Sequence, residues 1–167
     1  MPSSRKKAIV RKFSRDWVAG YVPAEGFVHP NDSRSGAVEL LGLDGKVTAI
    51  DVDQIKWVCF VRDFNSGDSA SPERLLRKTF AGRPRTAGVF LRAKLTDGEV
   101  IEGIAANDLS LIASQGAFLT PPDTRSNTQR IWIPASSVTE LEVVAVIGGG
   151  AKTKTLPVQD EAQERLF

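Results

Sequence analysis

A chain of 167 residues with 41% hydrophobic and 25% charged residues can bury a sizeable core, as one ordinary domain or two small ones. Its formal net charge of +2 implies no bulk attraction to nucleic acid or anionic membrane, and no apolar run approaches the roughly 20 residues that span a bilayer. The single cysteine, Cys59, excludes an internal disulfide and fits a reducing cytoplasm.

Residues 1–7 are polar and basic and read as disordered, with no apolar segment behind them to make a secretory signal. A first unit spans residues 8–64. It opens on Arg11-Lys12-Phe13-Ser14-Arg15-Asp16-Trp17, which reads as a hairpin whose turn lacks glycine and is one residue shorter than its later counterpart. Turn-rich residues 30–36 follow, then a strand over 37–43 and an Asp44-Gly45 hairpin turn. A returning strand over 47–52 leads into a short helical turn, Asp53-Gln54-Ile55. Lys56-Trp57-Val58-Cys59-Phe60-Val61 is apolar almost throughout, which predicts a final strand central to the core.

Residues 65–87 read as a linker holding a short helix over 71–80. Ser71 is a good N-cap, Pro72 suits the first helical position, and Leu75, Leu76 and Phe80 supply an apolar stripe. Arg74, Arg77 and Lys78 would then face water. The stripe is too short to hold a helix by itself, so the linker is expected to dock and to keep the two units packed together.

The second unit spans residues 88–147 and contains the clearest local signal in the chain. Val89, Leu91, Ala93 and Leu95 alternate with Phe90, Arg92, Lys94 and Thr96, the period of a strand with one buried face. Asp97-Gly98 then supplies the backbone angles of a tight hairpin turn before Val100-Ile101-Glu102-Gly103-Ile104. Gly103 lies 83 residues after Gly20, and Ile133, Val138 and Leu141 lie 83 residues after Ile50, Ile55 and Val58. This shared spacing predicts a repeat, although residue identity between the halves is low. Pro134-Ala135-Ser136-Ser137 takes the place of the first unit's helical turn, and residues 148–167 read as a disordered tail.

Five short strands with a helical turn before the last is the layout of an SH3-like or Sm-like barrel. The expected fold is therefore all-β: two tandem five-stranded small barrels joined by a short helical linker. Leu95-Thr96-Asp97-Gly98-Glu99-Val100-Ile101-Glu102-Gly103 with Asn107-Asp108-Leu109-Ser110-Leu111 resembles the first signature of Sm and bacterial Hfq-type proteins. Ile131-Trp132-Ile133-Pro134-Ala135-Ser136-Ser137-Val138-Thr139-Glu140-Leu141 is similar to the second. That resemblance implies RNA binding, yet Pro134-Ala135 stands where the family carries its RNA-contacting basic pair. The chain as a whole resembles an uncharacterised bacterial family carrying the same pair of units, which implies no activity.

Arg11 and Arg15, followed by Asn31, Ser33 and Gly36, are similar to the cyclic-di-GMP signature of PilZ barrels. Paired guanidiniums of this kind take phosphates and guanine edges bidentately. Arg11, Lys12 and Arg15, with Arg83 and Arg85 of a second basic run, are the candidate phosphate contacts. Arg5, Lys6 and Lys7 would add weak, salt-sensitive affinity for nucleic acid.

The long polar loop over residues 121–130 is the favoured place for a binding surface, because the first unit manages with a minimal turn there. Its candidates are Asp123, Arg125, Asn127 and Arg130, with Trp132 beside them as a stacking platform or a covered interface residue. Catalysis has little to stand on. His29 is the only histidine and lies in a turn region, Cys59 lies in a buried strand, and together they assemble no metal site. Gly148-Gly149-Gly150-Ala151-Lys152-Thr153 lacks the Gly-Lys-Thr of a phosphate loop. The reading is a non-enzymatic binding or scaffold module of the bacterial cytoplasm, without cofactor or metal and away from membranes. Its partner is unnamed: a protein, a second copy of the chain, or weakly bound nucleic acid. A cyclic-dinucleotide receptor is the other alternative.

Overall fold

The computed structural model describes residues 5–23, 26–29, 36–75, 77–108, 115–123 and 125–148. Strands carry the whole architecture. In the first half, β1 (Arg5–Lys12), β2 (Trp17–Pro23), the short β3 (Val28–His29), β4 (Ala37–Gly42) and β5 (Val47–Asp51) precede a 3-10 turn (Val52–Gln54) and β6 (Ile55–Val61). In the second half come β7 (Gly88–Leu95), β8 (Val100–Ala105), β9 (Gly116–Leu119) and β10 (Thr128–Pro134). A second 3-10 turn (Ala135–Ser137) and β11 (Val138–Ile147) complete it.

Turn chemistry sets the hairpins. Gly98 has φ +90°, and the Asp97 carboxylate accepts the Glu99 N–H at 3.0 Å, as expected of an Asp-Gly turn. The first hairpin has a connection of the same length, residues 13–16 against 96–99, so it is not the shorter turn expected. Arg15 supplies the left-handed residue there at φ +78°, and its carbonyl accepts Arg11 Nη1 at 2.9 Å, a bond that helps hold the strained turn. Arg5, Lys6 and Lys7, expected to be disordered, extend β1 opposite Pro23, Val22 and Tyr21. The ladder continues because β2 keeps presenting backbone partners beyond the point where the side chains of β1 turn polar.

The sheets do not divide as two closed five-stranded barrels. One eight-stranded sheet runs β3-β4-β2-β1-β6-β10-β9, with β5 added on β4; a three-stranded sheet runs β11-β7-β8. The reason lies in β6, whose free edge is taken by β10 of the other half: Ile131 pairs with Cys59 and Trp132 with Val58. Among the described residues no ladder joins β5 to β6 or β10 to β11. The two sheets meet where Ile104 and Thr120 exchange backbone hydrogen bonds of 3.0 and 2.8 Å. Gly103 permits that approach, since a Cβ there would stand 2.7 Å from Leu119 Cβ and 2.9 Å from the Thr120 carbonyl. Gly103→Val is expected to cost about 2 kcal/mol or more in urea unfolding, because neither backbone nor packed core can yield; a change below about 0.5 kcal/mol would show that the strands part easily.

As expected, β6 is central to the core, and the structure buries it on both faces. Ile55, Val58 and Phe60 enter a core with Val10, Leu40 and Ile50, while Trp57, Cys59 and Val61 enter a second core with Leu91, Leu95 and Ile101. The same central strands therefore wall both cores, and the two halves are packed together.

The expected helix over 71–80 does not form among the described residues. A single turn starts at Ser71, whose carbonyl accepts the Arg74 N–H at 3.0 Å, and then Arg74 takes φ +49°, outside the helical region. Tertiary bonds decide this. Glu73 is drawn into the core to meet Arg11 and Trp57, which a continuing helix would not allow. Phe80 docks edge-on against Phe90 at 5.0 Å, and Leu75 packs on the second core. Leu76 lies outside the described residues.

Candidate functional site

The sequence candidates in the 121–130 loop take part in folding bonds. The Asp123 carboxylate accepts the Arg125 N–H at 3.0 Å, an Asx turn. Asn127 Nδ2 donates to the carbonyls of Asp63 at 2.8 Å and Pro72 at 2.7 Å, and its side-chain oxygen accepts the Asp63 N–H. Arg130 stacks over the Phe118 ring at 4.2 Å, and Arg125 is exposed. Trp132 is 2% exposed and packs edge-on against Phe27 at 5.1 Å. No base reaches it while the β6–β10 joint is closed.

The basic candidates do not gather into one anion site. Arg11 donates from Nε and Nη2 to the Glu73 carboxylate at 2.8 and 2.6 Å, and further bonds run to the Ala70 and Arg15 carbonyls. Burial would raise the Glu73 carboxyl, but the hydrogen bonds from Arg11, backed by its charge and by Trp57, hold it below the usual carboxylate range. Arg15 is exposed and Lys12 half-buried, both beside a cleft that also carries Lys56, Asp97 and Glu99. Lys56 bridges Asp97 at 2.7 Å and also Glu99, which Lys78 meets at 2.8 Å. Those acids blunt the positive field. Arg83 and Arg85 are exposed on the connecting segment. Asn31 and Ser33 of the PilZ-like pattern lie outside the described residues, as do Leu109, Ser110 and Leu111 of the first Sm-like signature. Gly36, at φ +83°, lies against the His29 carbonyl.

Catalytic chemistry gains no geometry here. Burial pushes the Cys59 thiol well above its ordinary value, and His29 stands 3.6 Å from Glu39. Among the described residues no three His, Cys, Asp or Glu side chains gather as metal ligands, and no helix is long and apolar enough to cross a membrane.

The surface that sequence reading missed is the outer edge of β11. Among the described residues this strand pairs only with β7, at Leu141–Ala93, Val143–Leu91 and Val146–Val89. Directly paired residues of an antiparallel ladder point to the same side. Ala93, Leu91 and Val89 are 1%, 1% and 4% exposed, whereas Leu141, Val143 and Val146 are 54%, 57% and 59% exposed. Three apolar side chains therefore lie on the core side of the sheet, each more than half exposed, with no described strand laid over them. Beside them opens an apolar groove of about 330 Å³, lined by Leu91, Ala93, Leu119, Ile133, Val138 and Leu141. The β11 backbone edge, which carries no second ladder among the described residues, adds donors and acceptors to this apolar floor, the combination a strand-adding partner requires. Alternation of Leu141 and Val143 with Glu140 and Glu142 was the available signal, but it reads equally as an ordinary half-buried strand.

No curated protein and no solved structure matches this chain. One family does, across residues 4–145, nearly the whole described region and both halves alike. The chain belongs to the family of unknown function DUF6982.

Proposed function

We propose that this chain is a non-enzymatic binding module that captures an extended strand along the free edge of β11. The observation that carries this reading is the set Leu141, Val143 and Val146, core-facing in register yet more than half exposed. Main-chain hydrogen bonds to the edge would supply affinity, and alternate apolar side chains entering the groove would supply selectivity. The two halves are read as two copies of one small unit. Elements β1, the first 3-10 turn and β6 begin at residues 5, 52 and 55, and β7, the second 3-10 turn and β11 begin 83 residues after them, at 88, 135 and 138. In the first copy the last strand is covered by β10; in the second it is left open.

Selection of random peptides against the whole chain, followed by amide chemical-shift mapping, tests the module. Peptides with alternating apolar residues are expected, with shifts along residues 138–147 and around the groove. Leu141→Lys with Val143→Lys should weaken them at least tenfold while leaving the melting temperature nearly unchanged, because both side chains are already exposed. Selected peptides that map elsewhere, or that bind the double variant equally well, would overturn the reading.

A further inference from the structure

The internal joint between the halves supplies a template for what covers β11. There, β10 lies along β6 with Arg130 opposite Phe60, Ile131 opposite Cys59 and Trp132 opposite Val58. Subtracting the repeat spacing of 83 turns β10 into β5, and adding it turns β6 into β11. Arg130, Ile131 and Trp132 become Val47, Thr48 and Ala49, while Phe60, Cys59 and Val58 become Val143, Glu142 and Leu141. Both strands generated in this way are edges among the described residues: there β5 pairs only with β4, and β11 only with β7.

The chemistry of the generated pairs is sound. Val47 would meet Val143 and Ala49 would meet Leu141, on the side facing the groove, with Thr48 meeting Glu142 on the other. Val47, 64% exposed, belongs with Leu141, Val143 and Val146 among the chain's exposed large apolar residues. Each open edge therefore carries exposed apolar side chains, as do Leu43 in the β4–β5 turn and Val100 on β8, which lie on neither edge. Cys59 and Phe60, the counterparts of Glu142 and Val143, are buried under β10, as β11 is not.

We propose that the β11 edge takes the β5 edge of a second copy of this chain, in the register of the internal β6–β10 joint. This inference rests on the strand-addition reading of β11 and names its occupant. Because the two surfaces differ, the contact is head-to-tail, and repetition gives a closed ring or an open filament. The intermolecular joint is weaker than the internal one, since Ala49 stands where Trp132 fills the first core.

Sedimentation velocity on the full chain tests this, using one variant for each edge. The wild type is expected to associate as its concentration rises, while Val47→Asp alone and Leu141→Asp with Val143→Asp alone stay monomeric. Mixed in equal amounts, the two variants should form a dimer and nothing larger, because each retains the edge that the other lacks. Ala49→Trp should tighten wild-type association roughly tenfold or more by filling the groove. A monomeric wild type, or variants that associate unaided, or a mixture that stays monomeric, would overturn the proposal. If the chain is monomeric while selected peptides still map to β11, only the occupant is wrong; if they map elsewhere as well, the strand-addition reading falls with it. An intramolecular cover of the edge by residues 149–167 would appear as a monomer that begins to associate once those residues are deleted, and it too would overturn the proposal.

Discussion

Trp132→Ala is expected to lower the stability of the whole chain by about 3–5 kcal/mol, the range for deleting a buried aromatic from a core that cannot collapse. The side chain is 2% exposed, on β10 of the second half, yet it packs among Val58, Phe60 and Phe27 in the core of the first. Phe27 meets it edge-on at 5.1 Å, and Gly116 lies so close that a Cβ there would stand 2.7 Å from the indole ring. The cavity would thus open at the seam between halves, where β10 and β6 are also hydrogen-bonded. A fall in melting temperature of roughly 10 °C or more is expected for a chain of this size. Hydrogen exchange at the amides of β6 and β10 should accelerate before that of β7 and β8, because the seam loses its anchor first. A loss below about 1 kcal/mol would mean that Trp132 is not what fastens the halves together.

Arg11→Ala should be of similar severity, for an electrostatic reason. Glu73 is 3% exposed, held by Arg11 at 2.6 and 2.8 Å and by Trp57 Nε1 at 3.2 Å. Removing the guanidinium leaves a buried carboxylate with no counter-charge, a change that costs about 3–5 kcal/mol at neutral pH. The pH dependence separates this from lost packing. In the wild type the Glu73 carboxyl is held below its ordinary value, so its contribution is present above the unfolded value of about 4.3 and is lost as pH falls through the folded one. In the variant, burial is opposed only by Trp57 and a backbone hydrogen bond and raises the carboxyl, so acidification relieves the penalty by protonating it. The stability gap between wild type and variant should therefore narrow from pH 7 toward pH 4 in urea titrations. A gap that stays constant across that range would sink the ion-pair account. Arg11→Met combined with Glu73→Leu should recover most of the loss, since an apolar pair removes both charges together.

These two residues also show where sequence reading stops. The Asp97-Gly98 turn, the central place of β6 and the helical turn before each final strand were all legible, because each depends on residues within a few positions of one another. Strand period and turn chemistry are local properties, and here the fold follows them. Arg15 at φ +78° stands 83 residues before Gly98 at φ +90°, the spacing on which the proposed repeat rests.

Partner choice across the chain was not legible. Arg11 and Arg15 sit in a basic stretch that suggests phosphate, and Ser71-Pro72 begins a stretch that suggests a helix. Both expectations turn on Glu73, whose carboxylate is placed 62 residues from Arg11 and draws the guanidinium inward while bending its own segment out of helical geometry. Which edge β10 joins is equally undetermined locally, since Ile131, Trp132 and Ile133 would suit any half-buried ladder. Only the assembled sheets decide that Trp132 is covered while Leu141, Val143 and Val146 are not. Exposure of a strand depends on what lies opposite it in space, and short-range apolar alternation reads the same whether that place is filled or open.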